Sequence, residues 1–541
     1  MRPFAAPAAS ATASGATGLA FAAIPLVVLL WHFAGIGGGF LSDDYSHLHV
    51  IAQNAERGTL LQWTLARFHQ GLDNGNFAYR PLAFASYVLD WLVYRTTAAG
   101  WHATNLALYF VNALLAAALA RRWLRADGGA ARQAAFVAAA AMVAFPFAGE
   151  ISFWPVGRFD LLAGLFSLLY LHALPPAGRG SLVDHGLRVL FLLCALLSKE
   201  SAMPLPLVAS LVSMAEVPGG TGRLAIAARL RAAVRETAPT WLAFALYLLW
   251  RHHLFGSYWK VYPDSSAPRS IAEFAERVAM LRHVVAANVG DARIAWVLAV
   301  LLFLGVIASL ALHRRDALAG RVRILACAVI GCAALYALAP AFGFPLSTAT
   351  GEGSRLLYLP WVYAALGLAL VTAGSRSAGW AAFGLLVVML YAQMRSVSQW
   401  QSAAREMQRI VAHVAPFAAR IAPERYALLL LPDHIGPVPF ARNGQGGIVL
   451  RPIQPEDYLD RMAVTTDPDL TGWSDHLQRG TIAGLKGLAR FDPANLDGLF
   501  CWNPRLSAIV PLTGGDVARD PVRWRREVEA RLPATGCLAP Q

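Results

Sequence analysis

Apolar runs recur along the first 395 residues of this chain, and many could cross the roughly 30 Å of hydrocarbon in a bilayer. Hydrophobic residues make up 57% of the 541 positions, charged residues only 15%, and the mean hydropathy is +0.46. This composition excludes an ordinary soluble globular protein. We predict about eleven membrane-spanning helices, near residues 17–37, 103–121, 133–149, 157–174, 186–198, 201–216, 237–254, 292–313, 323–341, 358–374 and 378–395.

The N-terminal run has a second interpretation, because its alanine-rich start resembles a cleavable signal peptide. Glycines follow this run at 37–39, where a signal peptide would have a small-x-small cleavage site, and Arg2 is the sole basic residue before it. We therefore favour an uncleaved first helix.

The distribution of arginine predicts the orientation in the membrane. If the N-terminus is cytoplasmic, the inner loops contain Arg121, Arg122, Arg125, Arg132, Arg179, Arg188, Arg223, Arg229, Arg231, Arg235, Arg314, Arg315, Arg321, Arg323 and Arg376. The opposite loops at 148–156 and 342–354 contain no arginine or lysine. The net charge of +13 is thus explained by cytoplasmic anchoring, and nucleic acid is not expected as a partner.

Three segments then lie on the outer face: the loop 41–100, the loop 255–290 and the tail 396–541. We divide the chain into a membrane domain, 1–395, and a non-cytoplasmic domain, 396–541. Short apolar runs at 426–432 and 447–450 predict buried strands of a small α/β domain, joined through an amphipathic helix near 398–420.

The tail also contains Cys501 and Cys537, which an oxidising compartment would allow to pair. The other cysteines, Cys194, Cys327 and Cys332, fall in predicted spans and are interpreted as packing residues.

Two adjacent carboxylates, Asp43 and Asp44, follow the first span directly. Like charges repel, so the pKa of one member tends to rise, which suits a general base or a metal site. The alternative is that these aspartates merely cap the next helix.

Four cations stand at the predicted outer ends of different helices: Arg80, Arg158, Lys199 and Arg355. Arginine forks and a lysine point charge are the groups that bind phosphate. Each could instead be a snorkelling anchor, and Arg158 and Asp160 could simply pair with neighbours across a helical hairpin. Together with the acidic pair they favour a site for the phosphate of a membrane lipid.

Two further features are predicted on the same outer side of the membrane. The stretch 82–95 is too short for a span and predicts a helix lying at the membrane interface. His102 and Asn105 are three residues apart and share a helix face, which favours structural hydrogen bonds between a loop and a helix.

In order, the chain contains Leu-Ser-Asp43-Asp44-Tyr, Tyr-Arg80-Pro-Leu, Trp-His102-Ala-Thr-Asn105-Leu, Val-Gly-Arg158-Phe-Asp160-Leu-Leu, Ser-Lys199-Glu200 and Arg355-Leu-Leu-Tyr358-Leu-Pro. This series resembles the C-type integral-membrane glycosyltransferases over roughly residues 17–375. The likeness is greatest to protein O-mannosyltransferases and to mannosyltransferases with tetratricopeptide tails, and weaker to bacterial aminoarabinose transferases. No tetratricopeptide period follows residue 396, so docking through such repeats is not implied.

The resemblance implies a polytopic helical fold and inverting transfer of a sugar from a polyprenyl-phosphate carrier to a lipid, glycan or protein hydroxyl. It implies a bacterial inner membrane, with the reaction at the outer face. Asp43 is the first choice for the general base and Asp44 the second. The donor phosphate would be bound by Arg80, Arg158, Lys199, Arg355 and Tyr358, supported by His102, Asn105, Asp160 and Glu200. No metal or other cofactor is expected, and His47 and His49 are interpreted as ordinary polar residues.

Two other functions compete with this interpretation. A polymerase or ligase of lipid-linked saccharides would typically place its arginines and histidine in one late loop, whereas here the acidic pair comes early. A transporter of lipid-linked sugars would be expected to show pseudo-repeats with broken helices, which the sequence does not contain.

Overall fold

The structure is a computed structural model that describes residues 9–70, 77–124, 128–175, 180–217, 223–261, 268–289, 317–338, 352–466, 495–516 and 520–538. Its helices are α1 (Ala9–Phe33), α2 (Asp44–Glu56), α3 (Leu60–Ala66), α4 (Pro81–Tyr94), α5 (Ala98–Leu124), α6 (Gly128–Val143), α7 (Ala148–Ser152), α8 (Arg158–His172), α9 (Leu182–Ser198), α10 (Leu205–Glu216), α11 (Arg223–Phe255), α12 (Ile271–Val289), α13 (Ala317–Leu338), α14 (Tyr358–Thr372), α15 (Arg376–Ala418) and α16 (Pro521–Thr535).

Every predicted span falls on one of these helices except 292–313, which lies outside the described residues. Within the described part, three segments are long and apolar enough to cross a membrane: Ala98–Leu124, Ser354–Thr372 and Arg376–Ala418. Other apolar helices are shorter, such as Ala20–Phe33 and Ile324–Ala334. The count of eleven and the sidedness therefore stay predictions.

Short 3-10 turns separate consecutive helices where the sequence places charged residues. They are Pro155–Gly157, Glu200–Ala202 and Ser354–Leu357. Helix α14 follows the last of these turns and packs against α5, α6, α8 and α13. Helix α7, which comes before the first of these turns, contacts the turn that precedes α14.

The loop 41–100 contains α2, α3 and α4, while residues 71–76 lie outside the described part. The predicted interfacial segment is present as α4, which Pro81 opens at its first helical position. One face of α4 leaves Leu89, Leu92 and Val93 more than half exposed, and the other buries Tyr87 and Phe84. This two-faced pattern agrees with a helix at the membrane surface.

Helix α15 differs from the prediction because it runs unbroken for 43 residues, from Arg376 to Ala418. The last predicted span and the predicted linking helix are one element, so the proposed boundary at 395 falls inside a continuous helix. Regular helical hydrogen bonding needs no loop here, because the chain changes from an apolar to an amphipathic pattern without a helix-breaking residue near 395.

The tail folds around a four-stranded sheet with the order β4-β1-β5-β6. Its strands are β1 (Tyr426–Leu430), β4 (Met462–Thr465), β5 (Leu496–Asn503) and β6 (Ala508–Gly514), and a separate hairpin contains β2 (His434–Ile435) and β3 (Val438–Pro439). Strand β1 is parallel to β4 and β5, whereas β6 is antiparallel to β5. Helix α16 packs on β6.

Two expectations for the tail have different outcomes. The run 447–450 is not a strand, because Gln445–Val449 forms a buried 3-10 turn against α2 and β4. The pairing of Cys501 with Cys537 is present as a disulfide that ties β5 to the end of α16. The small α/β domain is otherwise present as predicted.

Candidate functional site

The acidic pair lies in a tight turn that the glycine run makes possible. A Cβ on Gly39 would stand 3.0 Å from the carbonyl oxygen of Ala404 in α15, so the chain crosses that helix at close range. Ser42 follows with φ of 48°, and α2 begins at Asp44. Asp43, at the position before the helix, makes no capping hydrogen bond, so capping does not explain it.

Asp44 points into the protein and is 2% exposed. One carboxylate oxygen accepts a hydrogen bond from the Leu41 amide at 3.0 Å, and the other has no hydrogen-bond partner among the described residues. Burial raises the pKa of Asp44 well above the usual range, and the charge of Asp43 adds to the rise. Asp44 is therefore poorly placed to receive a proton from a substrate.

Asp43 is only partly buried and faces four groups from other parts of the chain. Burial raises its pKa, and the charge of Glu352 raises it further. Arg355, a side-chain hydrogen bond with Asn443 and Arg442 act in the opposite direction. The result is an accessible carboxylate whose pKa lies above that of an ordinary aspartate, as suits a general base.

Arg355 lies in the 3-10 turn before α14 and is held by Glu150 of α7. The Arg355 amide and its Nη1 each donate to a Glu150 oxygen at 2.9 Å, and the Ser354 hydroxyl also donates to Glu150. The guanidinium carbon stands 4.4 Å from the centre of the Trp154 ring. With 14% of its side chain exposed, Arg355 is the most accessible of the four predicted phosphate-binding cations.

Glu352 joins this turn to the tail. It accepts a hydrogen bond from His434 at 3.1 Å and another from Arg442. Burial raises the pKa of Glu352, but the His434 hydrogen bond and the charges of Arg442 and Arg355 outweigh burial and lower it. Asp433 contacts the other ring nitrogen of His434 at 2.7 Å, so two acidic neighbours raise the pKa of that imidazole despite its burial. We call Asp43, Glu352, Arg355, His434 and Arg442 the outer cluster.

The sequence analysis did not identify Glu352, His434, Arg442 or Asn443 as site residues. Glu352 stands three residues before Arg355, and that proximity was a usable signal. The tail residues lie about 390 to 400 positions after Asp43, and only the folded arrangement brings them to it.

The other predicted cations are paired deeper in the protein. Arg158 contacts Asp90 at 2.5 Å, Lys199 contacts Asp160 at 2.5 Å, and Arg80 contacts Glu200 at 2.9 Å. We call these three the inner pairs. Glu200 has two further contacts: Arg251 lies 3.6 Å from its carboxylate, and the Tyr79 amide donates a hydrogen bond to that carboxylate at 2.7 Å.

Arg158 lies at a helix end, as predicted, but its side chain is wholly enclosed. Its Nε donates to Asn105 at 2.8 Å, its Nη2 donates to the Trp101 carbonyl at 3.1 Å, and its guanidinium lies against the Tyr87 ring. Arg158 therefore does not share an open cavity with Asp43. It does lie within electrostatic range of Asp44.

Lys199 lies near two of the other predicted phosphate-binding cations. Its ammonium group is within electrostatic range of both Arg355 and Arg80. Electrostatic contacts thus link Asp43 to Arg355, Arg355 to Lys199, and Lys199 to Arg80, although each of these cations has a carboxylate partner.

The remaining predicted residues have internal contacts. The Tyr358 side chain is fully buried, and its hydroxyl accepts a hydrogen bond from Asn112 at 2.9 Å. His102 bonds the Ile36 carbonyl at 3.0 Å. Asn105 donates to the carbonyls of Ile151, within α7, and of Trp154, just after it. The last two sets of contacts are the loop-to-helix hydrogen bonds expected for this pair.

His47 and His49 are engaged separately. The His47 ring packs on Phe84 and Tyr87, while His49 bonds the Arg451 carbonyl at 2.6 Å. Among the residues that the structure describes, no group of three or more His, Cys, Asp or Glu side chains is arranged to hold a metal ion.

Comparison with known proteins gives little beyond this geometry. No protein-family model matches the chain, and no curated protein is significantly similar to it. Two crystal structures of ArnT from Cupriavidus metallidurans are similar in part, each at 12% identity over 77% of this chain. The apo form has a TM-score of 0.43 over 82% of its own length, and the form bound to undecaprenyl phosphate has 0.42 over 83%. A likeness this distant carries no argument about function.

Proposed function

We propose that this chain is a membrane glycosyltransferase that moves a sugar from a polyprenyl-phosphate carrier to an acceptor hydroxyl at the outer face. The observation that carries the proposal is the juxtaposition of Asp43, an accessible carboxylate of raised pKa, with the guanidinium of Arg355 at the mouth of apolar helices. A base beside an anion-binding cation is what transfer from a phosphate-linked donor requires.

In this mechanism Asp43 takes the proton of the acceptor hydroxyl. The acceptor oxygen then bonds to the anomeric carbon, the carbon–oxygen bond to phosphate breaks, and polyprenyl phosphate leaves with the electron pair. Attack from the face opposite the phosphate inverts the anomeric centre. Asp43 is preferred over Asp44 because Asp44 is enclosed and already accepts the Leu41 amide.

Arg355 is the first candidate to stabilise the charge that develops on the phosphate, because it is the most exposed of the predicted cations and lies beside Asp43. Lys199 and Arg80 extend the positive field from the same region. Arg158 and Tyr358 are assigned a positioning role, since both side chains are fully buried. This departs from the sequence-based expectation that they bind the donor phosphate.

The lipid part of the donor would lie against the apolar helices, which limits donors to membrane-embedded carriers. In this proposal the tail and the acidic pair lie on the same side of the membrane. The arginine distribution predicts that this is the non-cytoplasmic side of a bacterial inner membrane. A reporter fused after Gln541 should then be active outside the cytoplasm only. A cytoplasmic signal from that fusion would contradict the orientation.

The activity is tested with the full-length protein in lipid nanodiscs. Native mass spectrometry measures retention of added undecaprenyl phosphate, and a panel of polyprenyl-phosphate sugars is assayed for release of polyprenyl phosphate. We expect binding of the lipid phosphate and release from at least one sugar donor when acceptor-containing membranes are added. Failure to retain any polyprenyl phosphate would overturn the proposed donor class.

A further inference from the structure

The outer tail contacts the acidic turn through its backbone. The Ser42 amide donates to the Phe440 carbonyl at 2.9 Å, and the Ser42 hydroxyl donates to the Arg442 carbonyl at 2.6 Å. One helical turn later, the Ser46 hydroxyl donates to the Asn443 carbonyl at 3.0 Å. These bonds attach the residues on both sides of Asp43 to one segment of the tail.

Two glycines make this contact closer than side chains allow. A Cβ on Gly444 would stand 1.7 Å from the Ser42 carbonyl oxygen, and one on Gly447 would stand 2.5 Å from that of Tyr45. Both glycines thus meet backbone, which cannot rotate away as a side chain can. The tail segment therefore fits the acidic turn in one register.

The same segment brings polar groups to the carboxylates. The Asn443 side chain hydrogen-bonds Asp43, and the Arg442 guanidinium pairs with Glu352 while lying within electrostatic range of Asp43. The Arg442 side chain is 37% exposed, so enclosure in a core does not account for its position.

We infer that residues 440–447 of the outer tail form part of the catalytic site, with Arg442 and Asn443 as positioning residues for Asp43. The inference rests on the proposed role of Asp43 as the base. It adds that a domain outside the membrane helices controls the position and the charge state of Asp43. If the tail only docked on the membrane domain, Arg442 and Asn443 would affect attachment and leave the charge state of Asp43 unchanged.

The charged groups that face Asp43 come from three segments. Glu352 and Arg355 precede α14, Arg442 belongs to the tail, and Asp44 is its neighbour in the turn. Removing Arg442 takes away a positive charge and should raise the pKa of Asp43. Removing Glu352 takes away a negative charge and should lower the pKa of Asp43. Glu352 acts on Asp43 more strongly than Arg442 does.

The test measures the charge state of Asp43 without using activity. The full-length protein in nanodiscs is labelled with a carbodiimide and glycine ethyl ester across a pH series, and mass spectrometry follows modification of Asp43. We expect Arg442→Gln to move the labelling midpoint to higher pH by about one unit. Arg442→Lys should restore most of the wild-type profile. Arg461→Gln is the matched control, because that arginine lies elsewhere in the tail beside Asp460.

A double variant separates electrostatic positioning from loosening of the domain. Arg442→Gln with Glu352→Gln should return the midpoint to the wild-type value or below it, since both charges are removed. An unchanged midpoint in Arg442→Gln overturns the inference, and so does a double variant that shifts further upward than the single one.

Two more variants keep the test independent of one side chain. Asn443→Ala removes a hydrogen bond to the Asp43 carboxylate and should also raise the midpoint. Gly444→Ala must displace the Ser42 carbonyl and should change the labelling rate of Asp43, while wild-type behaviour in both variants would count against the tail's role. Because labelling requires no donor, lack of glycosyl transfer would overturn the proposed function alone.

Discussion

The inner pairs and the outer cluster both combine cationic and acidic side chains, but in different surroundings. In the inner pairs each cation meets one carboxylate in an enclosed space, with Arg158 fully buried and Lys199 only 2% exposed. In the outer cluster, Arg355 and Arg442 retain contact with the surface, and Asp43 is only partly buried. Breaking an enclosed pair leaves a buried charge without compensation, whereas a cation that is partly open can still contact water or a ligand.

The largest effect is expected where an inner pair is broken. Asp90→Ala leaves the Arg158 guanidinium buried without its carboxylate, which should cost about 3–5 kcal/mol of folding free energy. Thermal unfolding of the detergent-solubilised protein measures it. Replacing both residues with apolar ones of similar volume should recover most of the loss, and a wild-type melting temperature in Asp90→Ala would mean that the pair is not enclosed.

The outer cluster should respond in ligand binding instead. Arg355→Ala should weaken undecaprenyl phosphate binding by roughly ten- to a hundredfold, because a charge-assisted contact contributes about 1.5–3 kcal/mol. Arg355→Lys should restore it only in part, since a point charge does not reproduce a bidentate fork. Arg376→Ala, at the start of α15 and beyond the opposite end of α14, is the control for general charge effects. Equal affinity in Arg355→Ala and wild type would remove Arg355 from the phosphate site.

The pH dependence of transfer follows from the raised pKa of Asp43. A base acts as the carboxylate, so turnover should increase as the pH rises through that pKa and be lost below it. Burial is the main cause of the raised pKa, and Glu352→Gln removes the negative charge that adds to it, so the acidic limb should move downward by up to about one pH unit. If the acidic limb of the pH profile moved to higher pH instead, a group other than Asp43 would control it.

The smallest effect is expected at an exposed pair remote from both regions. Arg525 and Glu529 are 3.0 Å apart on α16, and each is 66% exposed. Arg525→Gln should change stability by no more than about 0.5 kcal/mol. A change comparable to that of Asp90→Ala would show that burial does not separate the two kinds of pair.

Much of the helical framework followed from the sequence because long apolar runs have few alternative structures. The motif residues were also located correctly at helix ends, since charges at Arg158, Lys199 and Arg355 interrupt those runs. The position of a cation in the sequence could not show whether its side chain would be enclosed in the folded protein. The partner of Arg158 is Asp90, which lies in the stretch 82–95 that the sequence predicts only as an interfacial helix.

The tail shows the other limit of sequence analysis. A short apolar run at 447–450 favours a strand by composition, but two glycines let it pass close to the acidic turn as a 3-10 segment. The contribution of Arg442 and His434 depends on pairing with Glu352 across more than 80 residues. Such pairings are set by tertiary packing, which local periodicity does not encode.

The most direct test of the central claim compares the two adjacent aspartates. Asp43→Asn should reduce release of polyprenyl phosphate by about 10²–10⁴-fold while undecaprenyl phosphate binding and thermal stability stay near wild type. Asp44→Asn should lose less, because asparagine keeps an oxygen to accept the Leu41 amide. If Asp43→Asn turns over at the wild-type rate, or if Asp44→Asn is stably folded and the more severely impaired, then Asp43 is not the base.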